Sequence, residues 1–192
     1  GASYPFTIYY YAYYNKPYVK IVHNFYYDNN DGSSASQISI NDISLRVATK
    51  VLGGSAAFSN TGSDVLTTVG AAEEGYLRYV NEDAYVITKV TTQLGAGLGM
   101  NQGTQGASEV GWAHLTNGTL GVGGALRHMW QMAPKHISVR GTGQMELHLW
   151  SDKGPALNFY GGAGRTHYTG VAFTTNAAVA KEMFYAISQP LY

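Results

Sequence analysis

Val110-Gly111-Trp112-Ala113-His114-Leu115, then Asn117-Gly118, then Thr119-Leu120-Gly121-Val122, is the stretch on which the fold reading turns. Two runs rich in apolar residues flank an Asn-Gly pair. Asn and Gly both tolerate positive φ, so the pair is a strong two-residue hairpin signal between Val110–Leu115 and Thr119–Trp130. Downstream, Ile137–Arg140, Met145–Trp150, Ala156–Tyr160 and His167–Phe173 repeat the pattern of short strands parted by Gly-bearing turns.

The same pattern runs upstream. Tyr4–Tyr14 is dense in β-formers, Asn15-Lys16-Pro17 is turn chemistry, and Tyr18–Tyr27 returns as a strand. There Val19, Ile21 and His23 face one way, and Lys20, Val22 and Asn24 the other. Apolar side chains on both faces predict a hairpin covered on both sides; the competing reading is an exposed aromatic ladder for sugars or a neighbouring subunit. Asp28-Asn29-Asn30-Asp31-Gly32-Ser33 lacks the spacing of a calcium loop and reads as an Asx-rich turn. Ile38–Ala48 alternates, with a break at Asn41-Asp42. Gly53–Gly75 reads as a long surface connection holding one short strand at Val65–Val69. Tyr76–Val80 and Tyr85–Val90 read as strands, and Gly95–Gly106 as a loop of small and polar residues.

Strands in series with no helix between them predict an all-β, antiparallel β-sandwich spanning residues 1–175. A short C-terminal helix and linker, 176–192, follows. Asn176 is its cap, Val179, Met183 and Ile187 recur at helical spacing, and Pro190 stops it.

The chain has 192 residues and equal numbers of basic and acidic side chains, 12 each. A chain without basic excess is not built for nucleic acid or an anionic membrane surface. Charged residues make up 12% of the chain, about half the usual share. Gly contributes 24 positions and Tyr 16, and there is no Cys. Disulfides, thiolate metal sites and Cys nucleophiles are therefore excluded. No apolar run approaches a membrane span. Few charges with many Tyr and Gly lead us to expect a secreted, extracellular protein that meets neutral polar ligands or copies of itself.

Chemistry concentrates in Ala125–Val139, entered through Gly121-Val122-Gly123-Gly124. This segment carries Arg127, His128, Lys135 and His136 around Trp130 and Gln131. An indole beside an amide and cationic donors can stack a sugar ring and bind its hydroxyls or carboxylate. The alternative is a core strand with a buried Trp, its ladder ended by Pro134. Later, Arg165-Thr166-His167 follows the glycine-rich Gly161-Gly162-Ala163-Gly164, which would let a ligand approach the backbone, or simply forms a tight turn into the last strand.

Trp130-Gln131-Met132-Ala133-Pro134-Lys135, His148-Leu149-Trp150-Ser151 and Gly164-Arg165-Thr166-His167 occur in this order. Together with the opening hairpin Ile8–His23, Val110-Gly111-Trp112-Ala113 and the exit at Pro190-Leu191, they resemble the central β-sandwich domain of the exo-rhamnogalacturonan lyase-like proteins. In that family the domain lies between a RIFT barrel and a helical toroid. Ala133 stands where the family pattern has an aromatic residue, and Tyr168 where an acidic residue is commoner. The resemblance implies an acidic polysaccharide as partner and a separate helical catalytic domain, without which the module is expected to be inactive.

Cleaving a uronate chain requires neutralising its carboxylate, removing the C5 proton and protonating the leaving oxygen. Lys135 and Arg165 are candidate carboxylate partners, and His136 and His167 candidate base or acid. The carbohydrate-binding set is Trp130, Gln131, Lys135, Arg165 and His167. We expect no cofactor and no metal, since no ligand motif of recognised spacing is present. The second functional reading is a structural, filament-type homo-polymer associating through Tyr-rich strands.

Overall fold

Alternation along the strands resolves into two antiparallel sheets laid face to face. The computed structural model describes residues 5–27, 37–60, 63–81, 84–90, 92–98, 110–129 and 131–188. In chain order the first strands are β1 (Phe6–Ala12), β2 (Tyr18–Tyr26), β3 (Gln37–Ile40), β4 (Ile43–Ala48) and β5 (Gly54–Phe58). Next come β6 (Val65–Val69), β7 (Glu74–Tyr79), β8 (Ala84–Lys89), β9 (Thr92–Leu98) and β10 (Val110–Thr116). The last are β11 (Gly121–Arg127), β12 (Lys135–Arg140), β13 (Gln144–Trp150), β14 (Leu157–Tyr160) and β15 (Gly164–Ala172), before helix α1 (Ala177–Ser188).

One sheet has seven strands in the order β1-β2-β15-β11-β10-β5-β6, and the other six, β4-β13-β12-β7-β8-β9. A short β14-β3 pair stands apart. The chain is thus an all-β antiparallel sandwich with a C-terminal helix, as its strand period predicts.

Between the sheets lie Phe58, Leu77, Ile87, Leu115, Leu126, Ile137, Val139, Met145 and Leu147, all buried. Each such side chain is worth about 1.5–3 kcal/mol when removed from water. A second apolar cluster lies on the opposite face of the seven-stranded sheet, where Ala180 and Phe184 of α1 meet Ala57, Trp112, Ala125 and Ala172. The glycines of β11 make both contacts possible. A Cβ on Gly123 would come within 2.8 Å of the Phe184 ring, and one on Gly124 within 2.5 Å of Met145 Sδ. Successive residues of a strand face opposite ways, so these two glycines thin β11 toward the helix and toward the second sheet in turn.

Several expectations shift. Gly53–Gly75 is not a surface connection: it contains β5, an inner strand paired with both β10 and β6. Its Ala56, Ala57 and Phe58 are buried, because neighbours on both sides of the sheet supply the apolar contact that the small residues lack themselves. The segment from Gly95 contributes to β9, paired with β8; residues 99–106 lie outside the described residues, as does the turn at 28–33. The β10–β11 connection runs over four residues rather than two, Asn117 to Leu120. Asn117 Oδ1 accepts from the backbone N–H groups of Thr119 (3.1 Å) and Leu120 (2.9 Å), placing the Asn at the start of the turn. Gly118 then takes the positive φ of 88°.

The first hairpin is covered unevenly. β2 is paired on both sides, whereas β1 is the sheet edge and only Ile8 is partly buried. In α1 the packed stripe is Ala180 and Phe184 with Ala177 and Met183 alongside, while Val179 points to solvent. Small residues face the sheet because the helix lies directly on Gly123, Ala125 and Ala57.

Candidate functional site

β15 separates two groups of polar side chains, one on each face. Arg165 and His167 share the face of Val171, toward the second sheet. Lys135, on β12, alternates with Ile137 and Val139 and enters the same space. Lys135, Arg165 and His167 are therefore brought together, although 30 residues of chain part the first two. Lys135 is fully enclosed, and its Nζ donates to Arg127 O at 3.2 Å. Burial, with Arg165 nearby, pushes the Lys135 ammonium down to about 7. His167 is buried and neither ring nitrogen makes a hydrogen bond. Burial, reinforced by Lys135, His23 and Arg165, pushes it down to about 2. Arg165 is half-buried, its guanidinium 5.0 Å from the centre of the Trp150 ring. Gln131 is exposed in the turn after β11. Trp130 lies outside the described residues.

The opposite face of β15 is open. Registers across three strands build its floor in rows: Tyr168 beside Val22 beside Tyr9, Gly170 beside Lys20 beside Tyr11, and Thr166 beside Asn24 beside Thr7. Arg127, at the end of β11, closes one side. The result is a groove of about 500 Å³ lined by Tyr9, Tyr11, Lys20, Val22, Asn24, Arg127, Thr166 and Tyr168. Gly170 contributes no side chain to its row, which leaves room beside Lys20.

Two cations meet in this groove. Lys20 Nζ and the Arg127 guanidinium carbon each lie 5.6 Å from the centre of the Tyr168 ring. Burial and then the charge of Arg127 lower the Lys20 pKa from its usual value. Two like charges held close, with no carboxylate among the described residues lining the groove, favour an incoming anion. Arg127 Nε and Asn24 Oδ1 are buried atoms without a hydrogen-bond partner, one a donor and one an acceptor. Tyr9 and Tyr11, 48% and 39% exposed, offer aromatic faces to the same space. Together these groups suit a ring-shaped, hydroxylated anion: carboxylate to the cations, ring to the tyrosines, hydroxyl to Asn24 or Thr166.

Sequence alternation already put Lys20, Val22 and Asn24 on one face of β2, and Arg127 in the chemically dense segment. What was missing was the pairing of β2 with β15 and of β15 with β11, which joins them. Comparison with family models, with curated proteins and with solved structures finds no match to this chain.

Proposed function

We propose that this sandwich is a secreted, carbohydrate-associated domain whose groove holds an acidic glycan, in the manner of the middle domain of a rhamnogalacturonan- or ulvan-type polysaccharide lyase. The observation that carries the reading is the pair Lys20 and Arg127 over Tyr168, flanked by exposed tyrosines and unpartnered amide and guanidinium atoms. Arg127 gives the planar donor fork that a uronate carboxylate matches, and Lys20 adds charge. Cleavage would belong to a separate helical domain. Arg165, on the reverse of β15, adds positive potential beneath the groove, while His167 beside it stays neutral.

Calorimetric titration with oligogalacturonate and with ulvan fragments tests this. Arg127→Ala should weaken binding by about 1.5–3 kcal/mol, the scale for a hydrogen bond to a charged group. Affinity should fall with added salt, as expected for a solvent-reached ion contact. Absence of binding to either acidic glycan, or equal binding by Arg127→Ala and Lys20→Ala, would remove the glycan reading.

A second reading has its own support. β1 is an unpaired edge carrying Phe6, Tyr9, Tyr10 and Tyr11, all exposed. Such an edge can add a strand from another copy and build a polymer. Light scattering on the eluting protein distinguishes the two: large, concentration-dependent assemblies abolished by Tyr10→Lys favour polymerisation, and a monomer favours the glycan module.

A further inference from the structure

The outer face of the six-stranded sheet carries two histidines in register, His136 on β12 opposite His148 on β13. Their rings stack at 3.5 Å between centres with 17° between planes. Both are buried, at 1% and 4% exposure, although they are on the side away from the core. His148 Nδ1 lies 2.6 Å from Asp42 Oδ1. A carboxylate only accepts, so Nδ1 carries the proton and donates it. His136 Nδ1 is hydrogen-bonded to Ser151 Oγ at 2.8 Å. Each ring thus has one nitrogen fixed by an oxygen partner, the arrangement that orients metal-bound imidazoles.

The remaining nitrogens each face a different carboxylate. His148 Nε2 is buried and makes no hydrogen bond. It faces Glu146 Oε2 at 3.4 Å. His136 Nε2 faces Asp152 Oδ1 at 3.8 Å. One donor atom from each of His136, His148 and Asp152 lies within 4.8 Å of the other two. Both contacts are long for hydrogen bonds, so neither Nε2 is firmly engaged.

We propose that His136, His148 and Asp152 form a binding site for a divalent transition metal, zinc in the first instance. The donor set of two nitrogens and one oxygen suits zinc, which takes such ligands at about 2.0–2.2 Å, and leaves a fourth, solvent-facing position. Magnesium and calcium prefer all-oxygen shells and fit poorly. Asp152 supplies the adjustment: it is half exposed, just past β13, and can move inward. The two rings must open from their near-parallel stack for both lone pairs to reach one ion. Glu146 stays outside the shell, held by Arg46 at 3.0 Å and Arg140 at 3.1 Å, and balances the added charge.

The test is equilibrium dialysis and calorimetry of tag-free, chelator-treated protein against zinc chloride, with magnesium chloride as control. We expect one zinc per chain, a rise in melting temperature with zinc, and no effect of magnesium. Asp152→Asn, a change at an exposed position, should weaken zinc binding at least tenfold with the fold retained. Asp42→Asn, which alters the hydrogen bond behind His148 and the one from Ser44 Oγ but no donor atom of the site, should weaken it by roughly ten- to a hundredfold. His136→Gln with His148→Gln should abolish it. No uptake by the folded protein overturns the proposal, as does uptake unchanged in Asp152→Asn and in the double Gln variant. Glycan binding in the opposite groove is read separately, so either result can fail without the other.

Discussion

The two outer faces of the sandwich are finished in opposite ways. The seven-stranded sheet is half covered by α1, through Trp112, Ala125, Ala172 and Phe184, and half left open as the groove beneath Tyr9 and Tyr11. Among the described residues, no helix packs on the six-stranded sheet. Its outward side chains are closed over by their own charges: Arg46 and Arg140 bind Glu146, Arg140 also reaches Glu74 at 3.6 Å, and Lys153 lies 5.0 Å above the Tyr76 ring. The Arg78 guanidinium donates to Lys153 O. In a chain with only 24 formally charged side chains, this concentration is a design choice. Apolar cover gives stability without regard to salt or pH. A polar lid gives less, but it is the only kind that can position ligating side chains.

The sharpest way to break the contrast is Phe184→Ala. Phe184 is fully buried against Trp112, with ring centres 6.5 Å apart. Its truncation should cost about 3–5 kcal/mol, the usual figure for a large buried aromatic. Urea denaturation measures it. A loss under 1 kcal/mol would mean that the helix is not an integral layer. On the other face, Glu146→Leu removes the shared acceptor of two arginines. The expected cost is about 1.5–3 kcal/mol, held toward the lower end because Arg46 and Arg140 are 64% and 43% exposed. Unlike the Phe184 effect, it should shrink in high salt. If both variants respond identically to salt, the two faces do not differ in kind.

A pH experiment probes the layer between the faces. His167 is held neutral in the folded chain, pushed down to about 2 by burial and then by Lys135, His23 and Arg165. Its unfolded value is near 6.5, so below that pH the unfolded chain binds a proton that the folded chain refuses. The His167 contribution is nil above about pH 6.5 and increasingly destabilising as pH drops below it. From this one group the loss at pH 5 is about 2 kcal/mol. His167→Leu should reduce the slope between about pH 6.5 and 5, leaving the share contributed by His136, which is likewise pushed down to about 2. An unchanged slope would show that the ring protonates freely in place.

Much of this architecture is legible from residues alone because strand period is a local property. Val19-Lys20-Ile21-Val22-His23 declares both its faces, and Met145–Trp150 reads as a strand without help. β5 escaped because Gly54-Ser55-Ala56-Ala57 is apolar only through its neighbours; small residues become core when sheets close on them. The sites were harder still. The groove needs rows drawn across β1, β2 and β15, strands that are distant in sequence. The histidine pair needs the β12–β13 register, since a shift of one residue would turn either ring to the other face. Of the five residues the sequence groups as glycan-binding, Lys135, Arg165 and His167 meet, on the covered side of β15, while Gln131 is exposed in a turn and Trp130 lies outside the described residues. Chemical type is written in the sequence; which side of a strand stays open is decided by what packs there.

The smallest predicted effect refines how α1 is attached. Asn176 Oδ1 accepts from the N–H of Ala178 at 2.9 Å and of Val179 at 3.3 Å. These are first-turn donors that the helix cannot satisfy internally. Thr174 Oγ1 in turn accepts from Asn176 N at 3.2 Å, fixing the capping residue in place. Asn176→Ala should cost about 1 kcal/mol, whereas Asn176→Asp should keep the bonds and gain from the helix dipole. The loss should be local: amide exchange at Ala178 and Val179 should accelerate while β10 and β11 stay protected, because Phe184 still anchors the helix two turns on. Zinc uptake across the molecule should not change. If Asn176→Ala instead loosens β11 as strongly as Phe184→Ala does, cap and anchor are one cooperative unit, and the helical face is a single lid rather than a pinned strut.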